Sequence, residues 1–312
     1  MTLLIGTPSG LYCGPPDDPE RTLEAAVNQV ETVDGVALAA TDDGLYRSTD
    51  GHEWEQFDVY GRSIVAVARE PGGNRTYVGT MPAAIYYTDD WERWRRCDAV
   101  GDLPSRDRWR ERARRRDAQV RAFATHPDAP DRVLAGVESG GVIVSADRGG
   151  RWEERSLGVH DDVHHLLALD ADSYVAGTGN GLYRTSDAGE SWVRLDTDHR
   201  DFWYNYHRES IVHEGTFHTA ALAMGREDLR QRGFLYRGTV DGDGRSFERV
   251  DHPDNDEAFV VSFVEDGELL AGTMRVRNGF ESRQPARILR RTDDGWLSIG
   301  TVPAAASSMA VL

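Results

Sequence analysis

The chain repeats itself, and the repeat limits its fold more than any other feature. A triplet of a small residue, an aliphatic residue and Tyr or Ile recurs as Gly10-Leu11-Tyr12, Gly44-Leu45-Tyr46, Ala84-Ile85-Tyr86, Gly141-Val142-Ile143 and Gly181-Leu182-Tyr183. Weaker copies are Phe234-Leu235-Tyr236 and Arg287-Ile288-Leu289. Most copies follow an apolar run that closes on Gly or Ala before Thr, or before Val in one case: LLIGT (3–7), VALAAT (36–41), TYVGT (76–80), VLAGV (133–137), YVAGT (174–178) and ELLAGT (268–273). Ahead of these runs lie further β-rich pieces such as SIVAVA (63–68), VRAFAT (120–125), VHHLLAL (163–169) and FVVSFV (259–264), and behind them Trp-led pieces such as WEQF (54–57) and WVRL (192–195). Each unit therefore reads as four short strands, A to D. Four-stranded units repeated at this scale are the blades of a β-propeller.

The spacing of the copies, 34 to 57 residues, predicts an all-β, seven-bladed β-propeller of four-stranded antiparallel blades, with six blades if one degenerate copy is not a blade. SSMAVL (307–312) reads as a strand A without partners, and the first residues supply strands B and C without a strand A. Joining them completes a blade and leaves no exposed edge. The expected organisation is one domain over 1–312, with a helical or loop insertion near 98–119.

The turn between strands C and D carries a family signature. Residues 185–192 read TSDAGESW and 145–152 read SADRGGRW, with shorter copies STDGHEW (48–54) and TDDWERW (88–94), and remnants at 240–247 and 292–296. In such a turn the Asp accepts backbone N–H bonds, the Gly takes a positive φ and the Trp packs between blades. The chain resembles the Asp-box (BNR-repeat) propellers, a sialidase-like group that also includes xyloglucan-type glycosidases, sortilin ectodomains and a photosystem II assembly factor. The resemblance implies that Asp50, Trp54, Asp90, Trp94, Asp147, Trp152, Asp187 and Trp192 are structural. It also implies a ligand face built from the D–A and B–C loops around a central channel. An Arg-containing segment of the sialidase type ahead of the first boxes is absent from the sequence.

Charge narrows the function. Asp and Glu total 53 against 36 basic residues, all of them Arg, for a net charge of −17. The absence of lysine excludes Schiff-base chemistry and a P-loop, and the negative charge argues against nucleic acid as a partner. An Asp-rich, lysine-free surface resembles that of salt-adapted, haloarchaeal-type proteins, although a GC-rich genome also favours Arg. No apolar run approaches the roughly 18 residues of a membrane span. The start has no basic region or long apolar run of a signal peptide, and Cys13 and Cys97 form no disulfide framework. These features predict a cytoplasmic, monomeric protein with no cofactor.

Candidate binding residues lie in the D–A loops. The 98–119 insertion holds Arg106, Trp109 and Arg110 among many arginines. It reads either as a solvated helical flap or as an Arg clamp for a carboxylate or phosphate. GVHDDVHH (158–165) brings Asp161 and His164, and DHRDFWYNYHRE (198–209) brings Trp203, Tyr204, His207 and Glu209, a set suited to a sugar or a cation or else to core and surface packing. His164 and His165 alternate along a strand, so no metal site is expected. The motifs at 177–181 and 213–218 lack the context of a dinucleotide turn or a zinc-protease helix. The function expected is a non-catalytic scaffold that binds a protein or a small anionic or sugar ligand. The alternative is a glycoside hydrolase using paired carboxylates, with Asp42, Asp43, Asp161 and Glu209 available.

Overall fold

The computed structural model describes residues 2–111, 116–197, 202–225, 231–240, 247–254, 257–276, 280 and 282–312, and the side chains of 110, 111, 116, 202–204, 224 and 225 lie outside the description. It is a seven-bladed propeller of four-stranded antiparallel sheets. Two compact units carry the blades, one of residues 1–57 and 196–312 and one of residues 58–195.

The first unit holds four blades. Blade 1 takes strand A from Ser308–Val311 and strands B to D from Leu3–Thr7, Gly10–Gly14 and Glu20–Leu23. Leu3 pairs with Val311, Leu4 with Ala310 and Ile5 with Met309, and the Leu312 N–H donates to the Thr2 carbonyl at 3.0 Å. The two chain ends thus share one sheet, as the sequence predicts. Blade 2 comprises Val27–Val33, Val36–Thr41, Gly44–Ser48 and Glu55–Phe57. Blade 6 comprises Phe202–His213, Thr216–Gly225, Gln231–Gly238 and Phe247–Val250, and blade 7 comprises Ala258–Glu265, Leu269–Arg275, Ala286–Thr292 and Gly295–Val302.

The second unit holds blade 3 (Ser63–Arg69, Thr76–Met81, Ile85–Thr88, Arg95–Arg96), blade 4 (Gln119–His126, Ala129–Glu138, Gly141–Ser145, Glu153–Glu154) and blade 5 (Val163–Ala168, Tyr174–Thr178, Gly181–Thr185, Val193–Arg194). The repeated small residue of strand B is explained by packing. A Cβ on Gly79 would come within 2.5 Å of the Val120 carbonyl of the next blade, and one on Gly136 within 2.6 Å of Val163 Cγ1. Only glycine lets neighbouring sheets approach this closely. The Thr that follows it in most blades turns inward, as where Thr178 Oγ1 donates to the Gly181 carbonyl at 2.8 Å and closes the B–C turn.

The C–D hairpins hold their Asp residues as expected. Asp50 accepts N–H bonds from His52 and Glu53, Asp90 from Glu92 and Arg93, Asp147 from Arg151 and Asp187 from Ser191, at 2.7–3.0 Å. All four carboxyls are held below their ordinary range, chiefly by backbone N–H groups at Asp50, Asp90 and Asp147 and by the Thr185 hydroxyl at Asp187. Gly51, Gly149 and Gly189 take φ of 77°, 86° and 90°. Trp152 packs with Tyr77 and Ile143, and Trp192 with Val144 and Tyr183, each between adjacent blades.

The 98–119 insertion, expected as helix or loop, forms two short 3-10 turns, Asp98–Asp102 and Arg106–Arg108, and a pairing of Arg110–Glu111 with Arg116–Asp117. One expectation is corrected. Segment 198–209 is not a loop throughout, because strand A of blade 6 begins at Phe202 and contains His207 and Glu209.

Candidate functional site

Every described inner strand from blade 2 to blade 7 carries a register break, near its start except for the mid-strand one of blade 6. The breaks fall between Val27 and Gln29, Ile64 and Ala66, Val120 and Ala122, Val163 and His165, His207 and Ser210, and Val260 and Ser262. A bulged residue leaves the ladder and its side chain is re-aimed. In blades 4 and 5 the residues so released are Arg121 and His164, and both turn to the same place.

That place lies at the D–A and B–C loops of the second unit. Glu138, the last residue of strand B in blade 4, accepts from Arg121 Nη1 at 2.8 Å and from the Gln119 amide. Asp162, just before strand A of blade 5, pairs with His164 Nε2 at 2.9 Å. An isolated antiparallel bridge between Glu138 and Asp162 fixes the two backbones against each other. The Asp162 carbonyl accepts from the Gly179 N–H at 2.8 Å, and a Cβ at Gly179 would collide with the Asp162 carboxylate. Glu138 and His164 are buried. Burial pushes both carboxyls up, but Arg121 at Glu138 and the His164 hydrogen bond at Asp162 outweigh it, and both end below their ordinary range. They are ionised acceptors at neutral pH, not proton donors.

A second feature adjoins this network. The insertion lies against Pro82 and Ala83 of the blade 3 B–C loop and leaves a cleft of about 380 Å³ lined also by Arg106, Asp107, Asp117 and Ala118. Arg106 is half-buried at the cleft wall: Nη2 donates to the Ala83 carbonyl at 2.9 Å and the guanidinium lies 4.9 Å from the Trp109 ring centre. Trp109 is buried, donates from Nε1 to Ser105 Oγ at 2.7 Å and packs against Val137. It is a wedge rather than an exposed stacking platform. Gly140 bridges the two features, since its N–H donates to the Asp161 carbonyl at 2.9 Å while a Cβ on it would stand 3.1 Å from the Trp109 ring.

The remaining candidates are dispersed. Asp161 is exposed and serves through its carbonyl. His207 is buried in blade 6, 3.6 Å from Asp196 and 3.3 Å from Thr219 Oγ1. Glu209, in the bulge of the same strand, accepts the Phe263 N–H at 3.1 Å, and burial pushes its carboxyl up to about 8. Burial also pushes Glu31, on strand A of blade 2, up to about 7. The side chains of Arg110, Trp203 and Tyr204 lie outside the described residues. Glu138, Arg121 and Glu31 escaped the sequence reading. The signals were there: an acid directly after VLAGV, and charged residues inside inner-strand runs.

The profile of a family described as HVO_0234-like beta propeller matches residues 3–168, more than half of the 312 residues. The chain belongs to this family. No curated protein matches it. Among solved structures this family member is similar to an ancestral GH74 enzyme (14% identity, TM-score 0.62), covering 96% of the chain and 39% of the enzyme. It is similar to the GH74 xyloglucanase of Xanthomonas campestris (16%, TM-score 0.59; 95% and 46%) and to YCF48 bound to D1 peptide (13%, TM-score 0.57; 91% and 88%). At these identities the likeness is one of fold. The chain spans less than half the length of either GH74 enzyme. Among the described residues no helix is long and apolar enough to cross a membrane.

Proposed function

We propose that this protein is a single-domain, salt-adapted cytoplasmic Asp-box propeller that binds a protein segment or a small anionic or sugar ligand at the D–A and B–C loops. The observation that carries the reading is the charge state of that face. Its acids, the buried Glu138 and the half-buried Asp162, are paired and held ionised, so neither can protonate a leaving group, which a glycosidase requires of one carboxyl of its pair. The cleft beside them offers Arg106, Asp107 and Asp117 for polar recognition. Support of a weaker kind comes from extent: the peptide-bound YCF48 is spanned almost end to end, and the GH74 enzymes are not. A monomer without nucleic-acid partners fits the acidic surface.

One observation favours the glycosidase alternative. Glu209 is protonated at neutral pH, as a general acid must be. The test is hydrolysis of aryl glycosides, aryl sialosides included, in molar KCl at pH 6–8, by the wild type and by Glu209→Gln. No turnover is expected from either. Turnover that disappears in Glu209→Gln overturns the binding reading.

A further inference from the structure

Glu138, Asp162 and His164 come from three places in the chain: the end of strand B of blade 4, the loop entering blade 5, and the bulge of that blade's strand A. One donor atom from each, two carboxylate oxygens and an imidazole nitrogen, lies within 4.8 Å of the others. From this convergence we propose a binding site for a divalent first-row transition ion, zinc above all, at Glu138, Asp162 and His164. It shares Glu138 and Asp162 with the proposed binding face but does not require a partner there.

The chemistry of the donors selects the ion. Three protein ligands of mixed nitrogen and oxygen leave an open position, the pattern of accessible zinc sites. Calcium asks for about 6–8 oxygens, which three side chains do not supply, and an imidazole suits zinc, copper, iron or nickel better than magnesium or manganese. At metal–ligand bonds of about 2.1 Å, tetrahedral donors stand about 3.4 Å apart. The present spacing therefore closes by no more than about 1.5 Å, within the reach of side-chain rotation on a fixed backbone.

The surroundings are those of a ligand set. The bridge between Glu138 and Asp162 fixes the two backbones from which the carboxylates project. Arg121 and Gln119 both grip Glu138 Oε2, as outer partners orient a ligating carboxylate. The bulge that frees His164 from the ladder puts its Nε2 on Asp162. Without an ion the hydrogen of that contact occupies the place that the ion takes. Arg121 lowers the net charge of the site from −2 to −1, so the affinity rests on coordination rather than on field strength.

The test is zinc titration by calorimetry of the full chain, stripped with a chelator, in 1 M KCl, where the loose attraction of an acidic surface for cations is screened. One saturable site is expected, weakened at least tenfold in His164→Ala and in Asp162→Asn and unchanged in Asp161→Asn, the exposed neighbour. No saturable binding, or equal loss in Asp161→Asn and Asp162→Asn, overturns the proposal. If His164→Ala or Asp162→Asn does not fold, anomalous diffraction at the zinc edge on wild-type crystals decides: a peak among the three residues supports the site, and its absence there refutes it.

Discussion

Single side chains in this propeller do their work through backbone groups. Asp187 accepts the Ser191 N–H at 3.0 Å and hydrogen bonds from the Thr185 and Ser191 hydroxyls, so one carboxylate closes a hairpin whose Ala188 and Gly189 both have positive φ. Removing it leaves the turn without its clasp, at a cost of about 0.5–1.5 kcal/mol. Asp187→Ala is expected to lower the urea midpoint accordingly, whereas Asp161→Ala, whose carboxylate is 76% exposed, should stay within about 0.5 kcal/mol. Equal effects would mean that the clasp contributes nothing beyond surface charge. Blade 3 shows how far the turn tolerates substitution. Trp91 stands where Gly51 stands in blade 2 and takes φ 62°, with its ring edge-on to Trp94 at 6.3 Å, so aromatic packing offsets the strain of a left-handed backbone.

At the scale of the strand, the blades combine apolar packing with ionisable groups that folding shifts in opposite directions. Burial drives His165, His218 and His252 down to about 4 from 6.5. The unfolded chain then binds more protons between those values, and stability rises with pH from about 4 to 6.5. Burial drives Glu31 and Glu209 up to about 7 and 8 from 4.5. Here the folded chain holds more protons, so their stabilisation is complete below about 4.5 and is lost as pH rises toward 8. Above pH 6.5 only the carboxyls act. The melting temperature of the wild type is expected to fall between pH 6.5 and 8, and Glu209→Gln, which keeps an acceptor for Phe263, should flatten that fall. Parallel slopes in the two proteins would remove Glu209 as its source. These groups also show what the sequence could reveal. Strands and hairpins were legible because residues such as Thr178 and Asp187 each answer a local demand of one blade. Glu138 meeting Asp162 was not, because the contact joins adjacent blades, and the bulges that aim Arg121 and His164 leave no mark in an apolar run. Trp109 was legible only in part: it lines the cleft of the insertion, but its burial against Val137 and Gly140 is not visible in the sequence.

At the scale of the whole molecule, 53 acids against 36 arginines repel one another unless salt screens them. The melting temperature is therefore expected to rise from 0.15 M KCl to molar KCl and to go on rising beyond the range where the Debye length changes quickly. A flat response would remove salt adaptation from the account. The propeller itself depends on a different feature, the completion of blade 1 by both ends of the chain. Met309 and Ala310 are buried there, and without them Leu3, Leu4 and Ile5 become an unpaired edge. The most direct measurement is the thermal melt of a chain ending before Ser308, compared with the full chain in the same molar KCl. A midpoint lowered by more than about 10 °C, or loss of the cooperative transition, is the expected result, and an unchanged melt would contradict a propeller closed by strand A of its first blade.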